Sequence, residues 1–142
     1  MKRRIVIAGL LASASARAQT PGLLGFDGLY KSFGVRGLVF SDLVVALNRR
    51  PVRMAGYTAP PLKAESNFFV LTREPLALCP FCQSDADWPV DIVVIYLRRQ
   101  SSLIDAGTRV SVVGRLEAGS WTDPDNGFVS QLRIVDATFG AG

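Results

Sequence analysis

The chain has 142 residues, of which 16 are lysine or arginine, 12 are aspartate or glutamate and none is histidine. Four of the basic residues lie within the first 18 positions and all the acidic residues follow them, so residues 19–142 carry 12 charges of each sign. A formally neutral chain lacks the basic footprint of a nucleic-acid-binding protein. Without histidine there is no Ser-His-Asp triad, and the commonest metal ligand is missing.

Residues 1–18 have the layout of a secretory signal peptide. MKRR is a basic start, IVIAGLLASASA is a short apolar run, and Ala16-Arg17-Ala18 places small residues where a signal peptidase cleaves. The apolar run is shorter than the roughly 20 residues that cross a bilayer as a helix. The sequence therefore predicts cleavage after Ala18, a periplasmic or secreted product, and no transmembrane segment in the mature chain.

The mature chain suits one domain preceded by an arm. Residues 19–37 are rich in glycine and predict an irregular N-terminal arm with a few apolar anchors, and residues 38–142 are assigned to a single domain. Within it, residues 38–47 fit either a short helix with Ser41 as its N-cap or a strand.

Five strands are predicted after this point, at 52–57, 67–72, 91–97, 108–119 and 127–139. The first alternates Val52, Met54 and Gly56 with polar or small residues, and the third is a continuous apolar run typical of a strand buried on both faces. The turn sequence TDPDNG joins the last two into a hairpin. We therefore predict an all-β fold, a small OB-like five-stranded barrel with a kink near Gly114 and a short helix before the first strand. A β-sandwich is the alternative topology.

The chain contains only two cysteines, Cys79 and Cys82, in the sequence CPFC. In an oxidising compartment two thiols at this spacing favour a structural disulfide. Catalytic redox chemistry would need a helix directly after the motif, whereas Pro89 and a β-rich run follow, and the nearby Asp85 and Asp87 would raise the pKa of a thiol. Zinc or another soft metal is the third interpretation, with Asp85 and Asp87 as candidate co-ligands of an incomplete set.

Residues 52–97 resemble an uncharacterised family of exported bacterial proteins with an OB-like domain. The matching stretches are GYTAPPL at 56–62, FFVLTREP at 68–75 and CPFC at 79–82. That family is often encoded beside ABC-type permeases, and some of its members are linked to metal stress. The resemblance implies an exported OB-like domain that serves a transport system.

Two functions follow from these observations. The first is an exported binding or accessory module of the cell envelope, more consistent with a non-enzyme than with an enzyme, associated with an ABC-type transporter and without a cofactor. The alternative is a thiol–disulfide oxidoreductase or metal-binding protein that uses Cys79 and Cys82. The binding-loop candidates are Tyr57, Pro60, Pro61, Phe81 and Trp88. Arg49-Arg50 and Arg98-Arg99 suit phosphate or lipid headgroups, although such pairs are more often solvated strand or turn ends.

Overall fold

The structure, a computed structural model, describes residues 20–59, 67–75, 91–101 and 105–142. In chain order its elements are β1 (Gly22–Leu23), one turn of 3-10 helix (Phe26–Gly28), β2 (Tyr30–Ser32), β3 (Val39–Phe40), α1 (Asp42–Leu47), β4 (Pro51–Thr58), β5 (Phe68–Thr72), β6 (Ile92–Leu97), β7 (Arg109–Thr122) and β8 (Val129–Ala141). Within the described ranges, every helix is too short or too polar to cross a bilayer.

Strands β4 to β8 pair in a sheet that closes on itself. The pairings β4–β5, β5–β6, β7–β8 and β4–β7 are antiparallel, and β6–β8 is parallel. Following the hydrogen bonds gives the order β4-β5-β6-β8-β7 and back to β4, which matches the five-stranded Greek-key arrangement of an OB fold. The predicted all-β, OB-like architecture is confirmed, and the closure excludes the β-sandwich alternative.

The hydrophobic core fills the inside of this ring. Successive side chains of a strand point to opposite faces, so every second residue of each ring strand points inward. The inward set is Val52, Met54, Phe69, Leu71, Val93, Ile95, Val110, Val112, Leu116, Leu132, Ile134 and Ala137. Three side chains from the segment before β4, those of Leu24, Leu29 and Val44, are buried with them.

The segment before β4 is more ordered than its glycine-rich sequence predicts. β1 runs parallel to β4, and β2 pairs with β3. The predicted helix and its N-cap are confirmed, because the Ser41 hydroxyl accepts from the Val44 N–H at 3.1 Å and donates to the Gly28 carbonyl at 2.5 Å. The division into an arm at 19–37 and a domain at 38–142 stays a prediction, and the structure adds the short strands.

A β-bulge bends β8 opposite Gly114. Between the pairs Val113–Thr138 and Arg115–Val135, β7 has one residue where β8 has two, and the register of β8 against β6 shifts at the same place. Asp136 occupies the bulge with φ +50°, a left-handed conformation that aspartate tolerates better than most residues. Gly114 therefore lies opposite the bend instead of forming it.

Candidate functional site

Most of the residues singled out from the sequence lie outside the described ranges. These are Pro60, Pro61, Cys79, Phe81, Cys82, Asp85, Asp87 and Trp88. The disulfide, the metal co-ligands and most of the binding-loop candidates therefore stay predictions. Within the described ranges there is no cluster of three or more acidic or cysteine side chains placed to hold a metal ion.

Tyr57 is the one binding-loop candidate that the structure describes. It lies near the end of β4, half-buried, and the Arg109 guanidinium carbon is 5.6 Å from the centroid of its ring. Its carbonyl accepts from the Thr72 hydroxyl at 3.2 Å. Tyr57 therefore belongs to a packed cation–π pair on the outer face of the sheet, and its role in binding stays a prediction.

The outer face of β5 and β6 forms a second packed core. Phe69 and Leu71 point into the ring, so Val70 between them points outward. The outer cluster consists of Ala59, Val70, Ile92, Val94 and Tyr96, with Phe68, Phe128 and Val135 packed against it. OB folds commonly bind their ligands across this face of the second and third strands. Here Val94 is fully buried and Tyr96 is only 9% exposed, so the structure favours a ligand site elsewhere.

The β7–β8 turn is anchored to this outer core by a buried carboxylate. Asp123, only 5% exposed, accepts from the Asp125 N–H at 2.8 Å through Oδ1. Its Oδ2 accepts from the Tyr96 hydroxyl at 3.0 Å and from the Asn126 side-chain amide at 3.1 Å. The turn predicted from TDPDNG is confirmed, and its aspartate serves as a hydrogen-bond acceptor inside the protein.

Tyr96→Phe tests this anchor through its pH dependence. Burial, and then the hydrogen bond to Asp123, raise the pKa of the Tyr96 hydroxyl far above its ordinary value. Above about pH 10 the unfolded chain loses the Tyr96 proton while the folded chain keeps it, so the contribution of Tyr96 to stability falls as pH rises. At pH 7 the variant should lose about 1 kcal/mol in free energy of unfolding. In urea unfolding, its deficit should shrink as pH rises above 10.

Tyr57→Phe is the matched control, because it keeps Tyr96 and should keep the alkaline loss of stability. A Tyr96→Phe deficit that stays constant between pH 7 and strongly alkaline pH would contradict the raised pKa.

A groove of about 420 Å³ lies where the end of α1 meets the β7–β8 hairpin. It is lined by Asn48, Arg49, Arg115, Glu117, Ala118 and Arg133, and we call it the arginine groove. Two hydrogen bonds fix its walls against each other: the Asn48 side-chain Oδ1 accepts from the Ala118 N–H at 3.0 Å, and the Arg49 N–H donates to the Leu116 carbonyl at 2.7 Å. These bonds hold the end of α1 against β7 and so fix the shape of the groove.

Arg133 forms the buried base of the groove, with only 7% of its side chain exposed. Its Nε donates to Glu117 Oε2 at 3.2 Å, and its Nη1 donates to the Gly119 carbonyl at 2.9 Å and to the Ser130 hydroxyl at 3.2 Å. The guanidinium carbon is also 5.2 Å from the centroid of the Trp121 ring. None of these bonds uses Nη2. A guanidinium fixed in this way needs little reordering to receive a ligand.

Arg49 lies in the groove with an unfavourable backbone conformation. It is exposed, and its φ of +65° is in the left-handed region, where a residue with a Cβ pays roughly 1 kcal/mol that glycine avoids. Position 49 directly follows the C-cap of α1, where glycine is the usual residue. The unfavourable backbone at position 49 motivates the hypothesis that the Arg49 side chain has a role in the groove.

The groove has more positive than negative charge. Glu117 is shared between two cations, with Oε1 at 3.4 Å from Arg115 and Oε2 at 3.2 Å from Arg133. Arg49 takes part in no ion pair among the described residues. Three guanidinium groups against one carboxylate leave two positive charges for an anion, and arginine is well suited to phosphate and carboxylate oxygens.

The sequence analysis names Arg49 as a candidate for phosphate binding, but it does not name Arg115, Glu117 or Arg133. The signal was present, because Arg115 and Glu117 are two residues apart in a predicted strand and so share one face. The register of the predicted hairpin then places Arg133 opposite Glu117. Locating the groove required that register and the position of the chain before β4.

The fold of this chain is similar to that of a known bacterial protein. The chain is similar to a DUF3299 family protein from Pseudomonas aeruginosa PAO1. That crystal structure matches with a TM-score of 0.53 and 13% sequence identity, over 87% of this chain and 99% of the other. At this identity the likeness concerns the fold alone, and DUF3299 is an uncharacterised bacterial family. No family model and no curated protein matches the sequence.

Proposed function

We propose that this protein is a non-enzymatic binding module of the bacterial cell envelope, which holds an oxyanion such as phosphate in the arginine groove and serves an ABC-type transport system. The observation that carries the proposal is the groove itself, with Arg49, Arg115 and Arg133 against the single carboxylate of Glu117. The envelope location is supported by the layout of residues 1–18, and the link to transport by the family resemblance of residues 52–97.

The chemistry of the groove favours an oxyanion over a neutral ligand. Arginine donates two parallel hydrogen bonds to a phosphate or a carboxylate, and such charge-assisted bonds are stronger than neutral ones. Arg133 is preorganised by its protein contacts, whereas Arg49 and the half-exposed Arg115 have room to close on a ligand from the rim. Because the groove is open to water, binding should weaken at high ionic strength.

Arg49→Gly separates a role in binding from a role in folding. The substitution removes one guanidinium and also relieves the left-handed strain at position 49, so the thermal midpoint should stay level or rise. Phosphate binding, measured by calorimetry or by NMR shifts at low salt, should weaken about tenfold, which corresponds to about 1.4 kcal/mol. Arg115→Ala should weaken it to a similar degree.

Arg50→Ala is the matched control, because Arg50 is the exposed neighbour of Arg49 and does not line the groove. It changes the net charge of the protein by the same amount and should leave phosphate binding nearly unchanged. Equal weakening by Arg49→Gly and Arg50→Ala would show a general charge effect and would contradict a specific groove.

Two further measurements address the rest of the proposal. Sequencing the exported protein from its N-terminus should find Gln19 first, and a chain that keeps Met1 in the cytoplasmic fraction would contradict the envelope location.

A double Cys79→Ser, Cys82→Ser variant should keep its phosphate binding. Reduction of a model disulfide by the wild-type protein would instead favour the oxidoreductase alternative.

A further inference from the structure

Exposed apolar side chains are concentrated in the segment before β4. Among the described residues, six of the seven large hydrophobic side chains that face solvent lie between positions 23 and 45. Three of them belong to the β2–β3 hairpin: Phe33 is 63% exposed, Val39 is 50% exposed, and Val35 is fully exposed. Three exposed apolar side chains in one short hairpin differ from singly scattered exposed residues, and they make the hairpin a candidate interaction site.

The base of this hairpin is fixed to the body of the protein. The rings of Tyr30 and Phe40 stack with centroids 5.7 Å apart across the two strands. Leu29, directly before β2, is fully buried in the core, and its carbonyl accepts from the Ser41 N–H at 3.0 Å. The hairpin therefore leaves the protein in a defined direction.

The tip of the hairpin is surrounded by open space. The Gly37 N–H donates to the Gly34 carbonyl at 2.9 Å and closes the turn. A Cβ built on either glycine would meet no other atom within 4 Å. Phe33 and Val35 thus stand on a protruding turn, a shape that suits insertion into a soft surface better than contact with a flat one.

The tip also carries positive charge. Lys31 and Arg36 lie on the hairpin, both exposed, and neither takes part in an ion pair among the described residues. No carboxylate occurs in the sequence between Asp27 and Asp42, and Asp27 is paired with Arg73 at 2.5 Å. The mature chain has equal numbers of positive and negative charges, whereas the hairpin has two more positive than negative ones. This local excess of positive charge matches an anionic partner.

We propose that the β2–β3 hairpin docks the protein on an anionic lipid surface, with Phe33 and Val35 between the headgroups and Lys31 and Arg36 on the phosphates. Apolar side chains and basic residues contribute together to such interfacial binding, which remains reversible when each set is small. The proposal goes beyond anion binding in the arginine groove and does not depend on it, since the two surfaces share no residue.

Co-sedimentation with vesicles tests the docking surface. The protein purified after export should bind vesicles of phosphatidylglycerol mixed with phosphatidylcholine, and should bind pure phosphatidylcholine much less. Phe33→Ser should weaken binding about tenfold through lost apolar contact, and Arg36→Gln about fivefold through lost charge. Both side chains are exposed, so the thermal midpoint should not change.

Matched controls separate the hairpin from the rest of the surface. Val35→Ser should weaken vesicle binding, whereas Val45→Ser, at a valine of α1 that is 65% exposed, should not. Arg49→Gly should leave vesicle binding, and its weakening by hairpin substitutions, as they are in the wild type. This result would distinguish the docking proposal from a failure of the arginine groove.

Equal vesicle binding by the wild type and Phe33→Ser would overturn the proposal. So would a protein that binds no anionic vesicle but loses an envelope protein partner on Phe33→Ser, because the hairpin would then be a protein interface. The chain already contains Trp88 and Trp121, so the wild type gives the reference emission. A blue shift of tryptophan emission on adding anionic vesicles to Phe33→Trp, absent from the wild type and absent with pure phosphatidylcholine, would support insertion of the tip.

Discussion

Gly114→Val is expected to lower the free energy of unfolding by about 3 kcal/mol, the upper end of the usual cost of overpacking. A Cβ at position 114 would lie 2.6 Å from Ile134 Cγ2, 2.7 Å from the Val135 carbonyl oxygen and 3.0 Å from the Ala137 Cα. Two of these contacts are with backbone atoms on either side of the bulge, which cannot move aside as a flexible side chain can. Gly114 also pairs with Val52 of β4. A backbone shift at Gly114 would therefore disturb the β7–β8 and β4–β7 pairings together.

Gly140→Val is the matched control for this prediction. Gly140 lies on β8 and pairs with β7 as well, but a Cβ there would meet no other atom within 4 Å. Valine has a higher β-propensity than glycine, so stability should stay level or rise slightly. Chemical denaturation of both variants measures the difference. Equal stability of the two proteins would show that the contact with the β8 bulge is unimportant.

The five ring strands could be predicted because each has a strong period-2 pattern or a long apolar run. Val52 and Met54 alternate with exposed residues as expected, and Ile92–Leu97 is buried on both faces. The short strands before β4 could not be predicted in this way. β1 and β3 have two residues each, too few for any periodicity, and they form because β4 and β2 offer partners.

The candidate site was less accessible to sequence reasoning than the fold. An arginine pair such as Arg49-Arg50 gives no sign of which member turns into a groove, and only Arg49 does so. That choice depends on the left-handed turn after α1 and on hydrogen bonds to β7, which are tertiary features. The bulge at Asp136 was likewise invisible in the sequence, because aspartate at a strand position indicates only a solvent-facing residue.

Glu117→Leu is expected to lower the free energy of unfolding by about 2 kcal/mol while strengthening phosphate binding. Removing one partner of a buried ion pair leaves the other charge without compensation, at a typical cost of about 3–5 kcal/mol. The cost should be smaller here because 31% of the Glu117 side chain is exposed and Arg133 keeps its bonds to Gly119 and Ser130. The groove then has three guanidinium groups and no carboxylate, so phosphate should bind more tightly and restore part of the lost stability.

The double variant Glu117→Leu, Arg133→Met separates these two effects. Replacing both members of the pair removes the unpaired buried charge, so most of the lost stability should return. Phosphate binding should fall below that of the wild type, because the preorganised guanidinium is gone.

Arg98→Met, which breaks the exposed ion pair with Asp136, is the control and should change stability and phosphate binding little. Denaturation curves with and without phosphate measure all four proteins. An equal rise in stability of the wild type and Glu117→Leu on adding phosphate would show that the Glu117 carboxylate does not affect phosphate binding. That result would contradict the arginine groove as the anion site.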